Sequence, residues 1–414
     1  MLWKEEGRMF FREEIIKLSE KIKNELIEIR RDLYMHPELS GKEFRTSKIV
    51  CDKLIEYGLD VTCNIGGTGV IGILKGREEG RVIALRADMD ALPIQDVLDI
   101  PYKSINNGVK HGCGHDVHTT VALGTAKILS SMRENIKGSI KFIFQPAEEN
   151  TTGAKAMIKA GVLNKPTVET LFAFHVFPIP VGKIGLIEKH AYSACNTYLL
   201  RFSVDKEFKE SLNLFYKGFS EKLNALNLIN YKDIESNNID IVESINNLSD
   251  DFISLDIKEK EFYVGNKKVI MCFLNIKAVN EQIIYHTVNK IESYINDYKK
   301  KNNLEFKYSI SKKGEIPSVY NDPEVMRKAE GLIAEMIGEE NIVKMKKTVP
   351  FFVEDFAYYG SEVKENIFFL GIKNETKGIY GNIHHADFNV DEDSIAIGTR
   401  VMSYVLLNYL ENKN

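Results

Sequence analysis

No apolar run in the chain approaches the length of a membrane span, which argues against an integral membrane protein. Met1 to Glu14 alternates charged with apolar residues and holds no apolar core, so a secretory signal is not expected. A basic excess is missing too: Lys+Arg 55 face Asp+Glu 59, for a net charge of −4. Without surplus cations to neutralise a phosphate backbone, nucleic acid is not an expected partner. Internal repeats and low-complexity linkers are also absent. Cysteine is scarce; five scattered residues, an odd number, fit reduced thiols in the cytoplasm better than a disulfide framework. What remains is an ordinary globular composition, 44% hydrophobic and 28% charged over 414 residues. That length suggests about two domains.

Against this background one stretch is unusual. His111-Gly112-Cys113-Gly114-His115-Asp116-Val117-His118 gathers three of the nine histidines and one of the five cysteines. Thiolate, imidazole and carboxylate form a ligand set suited to a transition metal such as zinc. Glycines on both sides of Cys113 let the backbone bend so that Cys113 and His115 can turn toward one point. Downstream, Gln145-Pro146-Ala147-Glu148-Glu149 offers adjacent carboxylates, one to hold an ion and one to handle the proton of an attacking water. A lone His or Cys is usually a satisfied core or surface residue, and a Glu pair is usually a solvated helix face. Here both lie beside strand-like runs, Arg81 to Leu85 and Ser139 to Phe144. Open α/β sheets place their chemistry in the loops after such strands. The stretch therefore reads as a hydrolytic metal site.

Glu13 to Gly58 carries apolar residues at helical spacing, interrupted at Met35-His36-Pro37-Glu38. Strand-like runs follow at Val70–Leu74, Val82–Leu85, Ile140–Phe144 and Leu171–Phe174, separated by helical patterns such as Thr119 to Met132. This alternation predicts a doubly wound α/β sheet. After Ala194 the text changes. Phe208, Leu212, Phe215, Phe219 and Leu223 mark one amphipathic helix; Ile284, Val288, Ile291 and Ile295 mark another. Alternating stretches at Asp240 to Glu243 and Lys268 to Leu274 read as strands. The expected organisation is a catalytic domain over 1–194 and 313–414, split by a small inserted α+β domain over 195–312. Gly66-Gly67-Thr68-Gly69 lacks the spacing of a phosphate loop and reads as a turn before a strand.

Leu85-Arg86-Ala87-Asp88-Met89-Asp90-Ala91-Leu92-Pro93, the block at 112–118, Gln145 to Glu149, Phe174-His175-Val176, Glu354-Asp355-Phe356 and the His384 segment occur in that order. Together they resemble the aminoacylase and carboxypeptidase superfamily of dinuclear metal amidohydrolases, in the branch of hippurate and auxin-conjugate hydrolases. The resemblance implies a zinc-peptidase-like sheet with a lid and dimerisation domain, a homodimer, and a small N-acyl substrate. It also implies two divalent ions, zinc first, with manganese or cobalt as alternatives. Cys113 would bridge them, Glu149 and His384 would complete one site, and His115 and His175 the other. Glu148 would be the general base and then the acid, with Asp90 orienting a ligand histidine. His384 is preferred to His385 because it matches the family's His-x-x-x-Phe spacing to Phe388. His118 and Asp116 are assigned to loop support, and His36, His111, His190 and His286 to satisfied or exposed positions.

The inserted domain departs from the family. Ser203 to Phe208 carries neither glycines nor the histidine that relatives use to stabilise the oxyanion, and the family's Asn-Val-Ile-Pro segment is missing. Phe351-Phe352-Val353 replaces small residues before Glu354-Asp355. His190, Tyr192 and Asn196 are the nearest substitute donors by sequence. The leading expectation is hydrolysis of an N-acyl amide; its rival is a catalytically silent metal-binding relative acting as a binding or regulatory subunit.

Overall fold

A computed structural model gives the structure of residues 2–227 and 241–411. The strands run, in chain order, β1 (Asp60–Ile65), β2 (Gly69–Lys75), β3 (Glu78–Asp88), β4 (Lys137–Gln145), β5 (Thr170–Pro180), β6 (Ile184–Leu186), β7 (Lys189–Tyr192), β8 (Ala194–Asp205), β9 (Ile253–Val264), β10 (Lys267–Ala278), β11 (Lys307–Ile316), β12 (Val319–Asn321), β13 (Ile342–Lys344) and β14 (Lys364–Lys373). The chain forms two compact units. One comprises Met1–Lys189, Tyr320–Met345 and Tyr358–Asn414; the other comprises His190–Val319 and Lys346–Ala357.

The first unit is built on an eight-stranded mixed sheet in the order β1-β2-β4-β3-β5-β14-β6-β13. Its four central strands, β4, β3, β5 and β14, are mutually parallel. Strands buried on both faces need apolar residues at every position rather than alternation. Leu171 to Phe177, interrupted only by His175, and Ile367 to Ile372 supply such runs, whereas edge strand β1 buries none of its six residues. β3 pairs with β4 on one side and β5 on the other, so the connections beyond its carboxyl end diverge. An open α/β sheet forms its ligand crevice at such a switch point.

Three helices, α1 (Leu2–Met35), α2 (Phe44–Glu56) and α3 (His115–Ser131), frame the amino-terminal half of this unit. α1 stops just before His36-Pro37, as expected where proline bars the preceding residue from helical geometry. α3 is buried over most of its length, threonines included. Its first turn places Asp116 against Arg30 of α1, Nε to Oδ2 2.6 Å, with both side chains fully buried. Gly66 to Thr68 form the turn between β1 and β2.

The second unit is a four-stranded antiparallel sheet, β11-β8-β10-β9. The helices Lys209–Leu226 and Glu281–Asn302 close its core, which includes Phe202, Phe215, Phe219, Ile284, Ile291 and Ile295. Both expected helix stripes thus face the core of an α+β unit, except Phe208, which is exposed ahead of the first helix. One local reading is corrected: Ile241–Asn246 is a short helix, not a strand. Asp240, the first residue of that expected strand, lies outside the described residues. Four residues of alternation cannot separate a strand from a single helical turn.

The cysteine reading is corrected as well. Cys51 and Cys63 are joined in a disulfide with Cα atoms 6.4 Å apart, while Cys113, Cys195 and Cys272 are buried thiols outside any disulfide. α2 doubles back along β1, so two scattered positions become neighbours. No helix among the described residues is long and apolar enough to cross a membrane.

Candidate metal centre

The crevice at the carboxyl ends of β3, β4 and β5 collects side chains from five segments. β3 ends at Asp88 and runs on to Asp90; β4 ends at Gln145 and leads to Glu148-Glu149; His175 lies within β5. Gly112 to Gly114 turn the chain into α3, whose first residue is His115. Gly114 has φ +88, and a Cβ there would stand 2.5 Å from Val176 Cγ2, so only glycine fits. His384 arrives on the loop after β14, with φ +66.

Two groups of donor atoms meet at Cys113. Cys113, His115 and His175 form one, and Cys113, Glu149 and His384 the other; within each, the ligand atoms lie within 4.8 Å of one another. Cys113 Sγ is 3.4 Å from His175 Nε2 and 3.2 Å from His384 Nε2. Glu149 Oε2 is 3.6 Å from His384 Nε2, and Glu149 Oε1 is 3.8 Å from His115 Nε2. Glu148 Oε2 stands 3.9 Å from His115 Nε2, beside both groups. All five expected ligands and Glu148 thus come together.

The second layer is as ordered. His115 Nδ1 lies 2.9 Å from the backbone oxygen of Asp90 and 3.2 Å from its Oδ1, which turns Nε2 toward the donor groups. Asp90 Oδ2 in turn accepts from Ser40 Oγ at 2.6 Å and from Glu149 N at 3.0 Å. His118 Nδ1 donates to Asp88 Oδ1 at 2.6 Å, and its Nε2 accepts from Val176 N at 2.9 Å. Both ring nitrogens being engaged, His118 has no lone pair for a ligand. Asp88, Arg86 and Ser40 were missed as site residues. Strand periodicity carried the signal for two of them, because Arg86, Asp88 and Asp90 alternate onto one side of β3. Arg86 Nη1 donates to Asp88 Oδ2 at 2.5 Å and Arg86 Nε to Gln145 Oε1 at 3.0 Å, tying β3 to β4.

The other histidines lie apart. His36 Nδ1 bonds to Asp32 O, His190 Nδ1 lies 2.9 Å from Ser318 Oγ, and His286 is exposed. His111 departs from its reading: it is buried, and neither ring nitrogen has a hydrogen-bond partner among the described residues. His190, Tyr192 and Asn196 all belong to the second unit.

Buried His115 Nε2 and Glu149 Oε1 have no hydrogen-bond partner among the described residues. Orphaned polar atoms are rare in protein interiors. Two orphans pointed at a thiol and further imidazoles fit a metal site. Burial alone would lower His115, but Asp88, Asp90 and Glu149 outweigh it and push it up to about 10 in the metal-free chain. Burial, helped by the charges of Asp90 and Asp88, pushes Glu149 up to about 7 against the pull of His115.

Both groups keep protons in the fold that the unfolded chain would release. Their contribution to metal-free stability is therefore lost as pH rises, through about 7 for Glu149 and about 10 for His115. Asp88 and Asp90, held below the usual carboxylate range, act in the opposite sense only at acid pH. Chelator-treated protein is expected to melt lower at pH 9 than at pH 6. Zinc-loaded protein should gain over it as pH rises, because binding displaces those protons. Thermal melts at the two pH values, with and without zinc, check this; a metal-free melting temperature that rises toward pH 9 contradicts it.

The model of peptidase family M20/M25/M40 matches residues 84–408. The chain is 30% identical to the hippurate hydrolase of Campylobacter jejuni over 397 residues, 94% of this chain and 98% of that protein. It is 42% identical to the N-acyl-L-amino acid amidohydrolase of Geobacillus stearothermophilus over 192 residues, 46% of this chain and 51% of that protein. Among solved structures it resembles the YXEP protein of Bacillus subtilis, a dinuclear metal binding peptidase from the M20 family. That likeness has 27% identity and a TM-score of 0.76, over 95% of this chain and 99% of the other.

Proposed function

Because this chain belongs to peptidase family M20/M25/M40 and is a metal-dependent hydrolase of amide bonds, we propose that it cleaves a small N-acyl amino acid or related N-acyl amide to a carboxylic acid and an amine. The observation that carries this reading is the pair of three-residue donor groups sharing Cys113, with Glu148 beside both. In the proposal Cys113, Glu149 and His384 would hold one divalent ion, and Cys113, His115 and His175 a second. Zinc is the first expectation, with manganese or cobalt also suited to thiolate, imidazole and carboxylate donors.

When bound, the ions lower the cost of charge developing on the scissile carbonyl and of deprotonating the attacking water. The chain's residues do the rest. Glu148 takes the water's proton on a carboxylate oxygen, then passes it to the leaving nitrogen, so one side chain is base and acid in turn. Asp90 holds His115 by Nδ1, which keeps Nε2 available and fixes the plane of the ring. Ser40 and the Glu149 amide keep Asp90 in place. The proposal carries with it a cytoplasmic location and a homodimer paired through the second unit, as the family resemblance implies for the pairing.

The silent alternative rests on the altered inserted domain, and the relatives named above give it no support, being hydrolases or peptidases by name. Zinc-loaded protein should be incubated with a panel of N-acyl amino acids and simple acyl amides. Amine release from at least one N-acyl amino acid, abolished by chelator and restored by metal, is expected. Turnover of none of the panel overturns the substrate assignment.

A further inference from the structure

His384 is the least supported member of the donor groups. It lies on a loop rather than a strand or helix, its side chain is 39% exposed, and its backbone sits at φ +66. A non-glycine residue in the left-handed region stays there only when its surroundings hold it. Among the described residues, backbone and side-chain tethers both hold the loop. His384 N donates to Gly112 O at 2.8 Å, which ties the loop to the Cys113 turn through the backbone. The second tether is a side chain, Lys110.

Lys110 is fully buried, and its Nζ donates to the backbone oxygen of Ala386 at 2.6 Å and to Asp96 Oδ1 at 3.1 Å. Its own backbone is fixed on both sides: Leu92 N donates to Lys110 O at 2.9 Å, and Lys110 N to Leu92 O at 3.0 Å. Asp96 is equally constrained, accepting from Leu98 N and Ser104 N at 3.1 Å each. Val97 N adds a longer bond to Ala386 O at 3.3 Å. A buried ammonium is costly unless it is paired and hydrogen-bonded. Here the pair secures one point, the carbonyl two residues beyond His384.

We propose that Lys110, neutralised by Asp96, is a positioning residue that holds the Ala386 carbonyl and thereby fixes His384 for the ion it shares with Cys113 and Glu149. Lys110 belongs to neither donor group. Its effect is local, since the group formed by Cys113, His115 and His175 takes no residue from this loop. The proposal rests on the two-ion reading of the centre.

The test measures the affinities of both zinc ions in the full-length protein by chelator competition, for wild type, Lys110→Met, His384→Ala and the double variant of these two. Lys110→Met is expected to weaken one ion by about 10–100-fold, the usual range for partners that orient a ligand, and to leave the other within a few-fold. In the His384→Ala background it should cost nothing further, because the ligand it positions is gone. Two tight ions in Lys110→Met, equal weakening of both, or full additivity with His384→Ala each overturns the proposal while leaving the two-ion reading intact. Fewer than two ions in wild type overturns that reading and the proposal with it. Should Lys110→Met alone fail to fold because Asp96 is left unpaired, Lys110→Met/Asp96→Asn removes both charges and faces the same outcomes.

Discussion

Glutamine in place of Glu148 is expected to lower kcat by roughly 10²–10⁴ while both metal ions remain bound. Glutamine keeps the size and polarity of the side chain but cannot accept the proton of water and return it to the leaving amine. Glu148 lies beside both donor groups, 3.9 Å from His115 Nε2, yet is not one of the five proposed ligands. Zinc content measured alongside turnover separates its two potential roles. Loss of activity with two ions retained assigns it proton transfer; loss of an ion makes it a ligand and reopens the assignment of Glu149. Full activity in the variant would remove the base from the mechanism.

The second large effect concerns Cys113, the one residue common to both groups. Serine in its place is expected to weaken both ions together, by more than the roughly 10–100-fold typical of outer-shell partners. A bridging thiolate reduces the repulsion between neighbouring cations, and a neutral hydroxyl does so poorly. His115→Ala and His384→Ala should each strike mainly one ion. Elemental analysis of protein prepared without chelator and then passed through a desalting column reads the difference. A Cys113→Ser protein that keeps two tight ions rules out the bridge.

Much of this architecture was legible because the physics is local. The runs from Val82, Ile140 and Leu171 are buried on both faces and so are apolar throughout save for Lys141, which makes them easy to read. The glycines around Cys113 announce a backbone that must bend, and one of them has φ +88. What escaped notice depends on partners distant in sequence. Cys51 meets Cys63 only because α2 folds back along the edge strand. Nothing in the sequence singles out Lys110; only the fold encloses it with Asp96 and the Ala386 carbonyl. Asp88 was within the quoted motif, but its value lies in contacts with His118 and Arg86 that only the folded sheet creates. The choice of His384 over His385 needed the family spacing, since two adjacent histidines on a loop carry no periodicity.

The position of β14 has a consequence for biosynthesis. This strand lies beside β5 in the middle of the parallel sheet, yet the whole of the second unit is encoded between them. As a nascent chain leaves the ribosome at about 5–20 residues per second, β5 must wait for the whole insertion before its neighbour emerges. For that interval it presents an unpaired, strongly apolar edge, the kind of surface that recruits other strands. The loop bearing His384 follows later still, so the second donor group cannot close until that loop has emerged. The inserted unit, whose sheet is antiparallel and drawn from the segment His190–Val319, is free of that delay. The order of events on the ribosome is therefore inside out: the insertion can settle before the two donor groups around Cys113 are both complete.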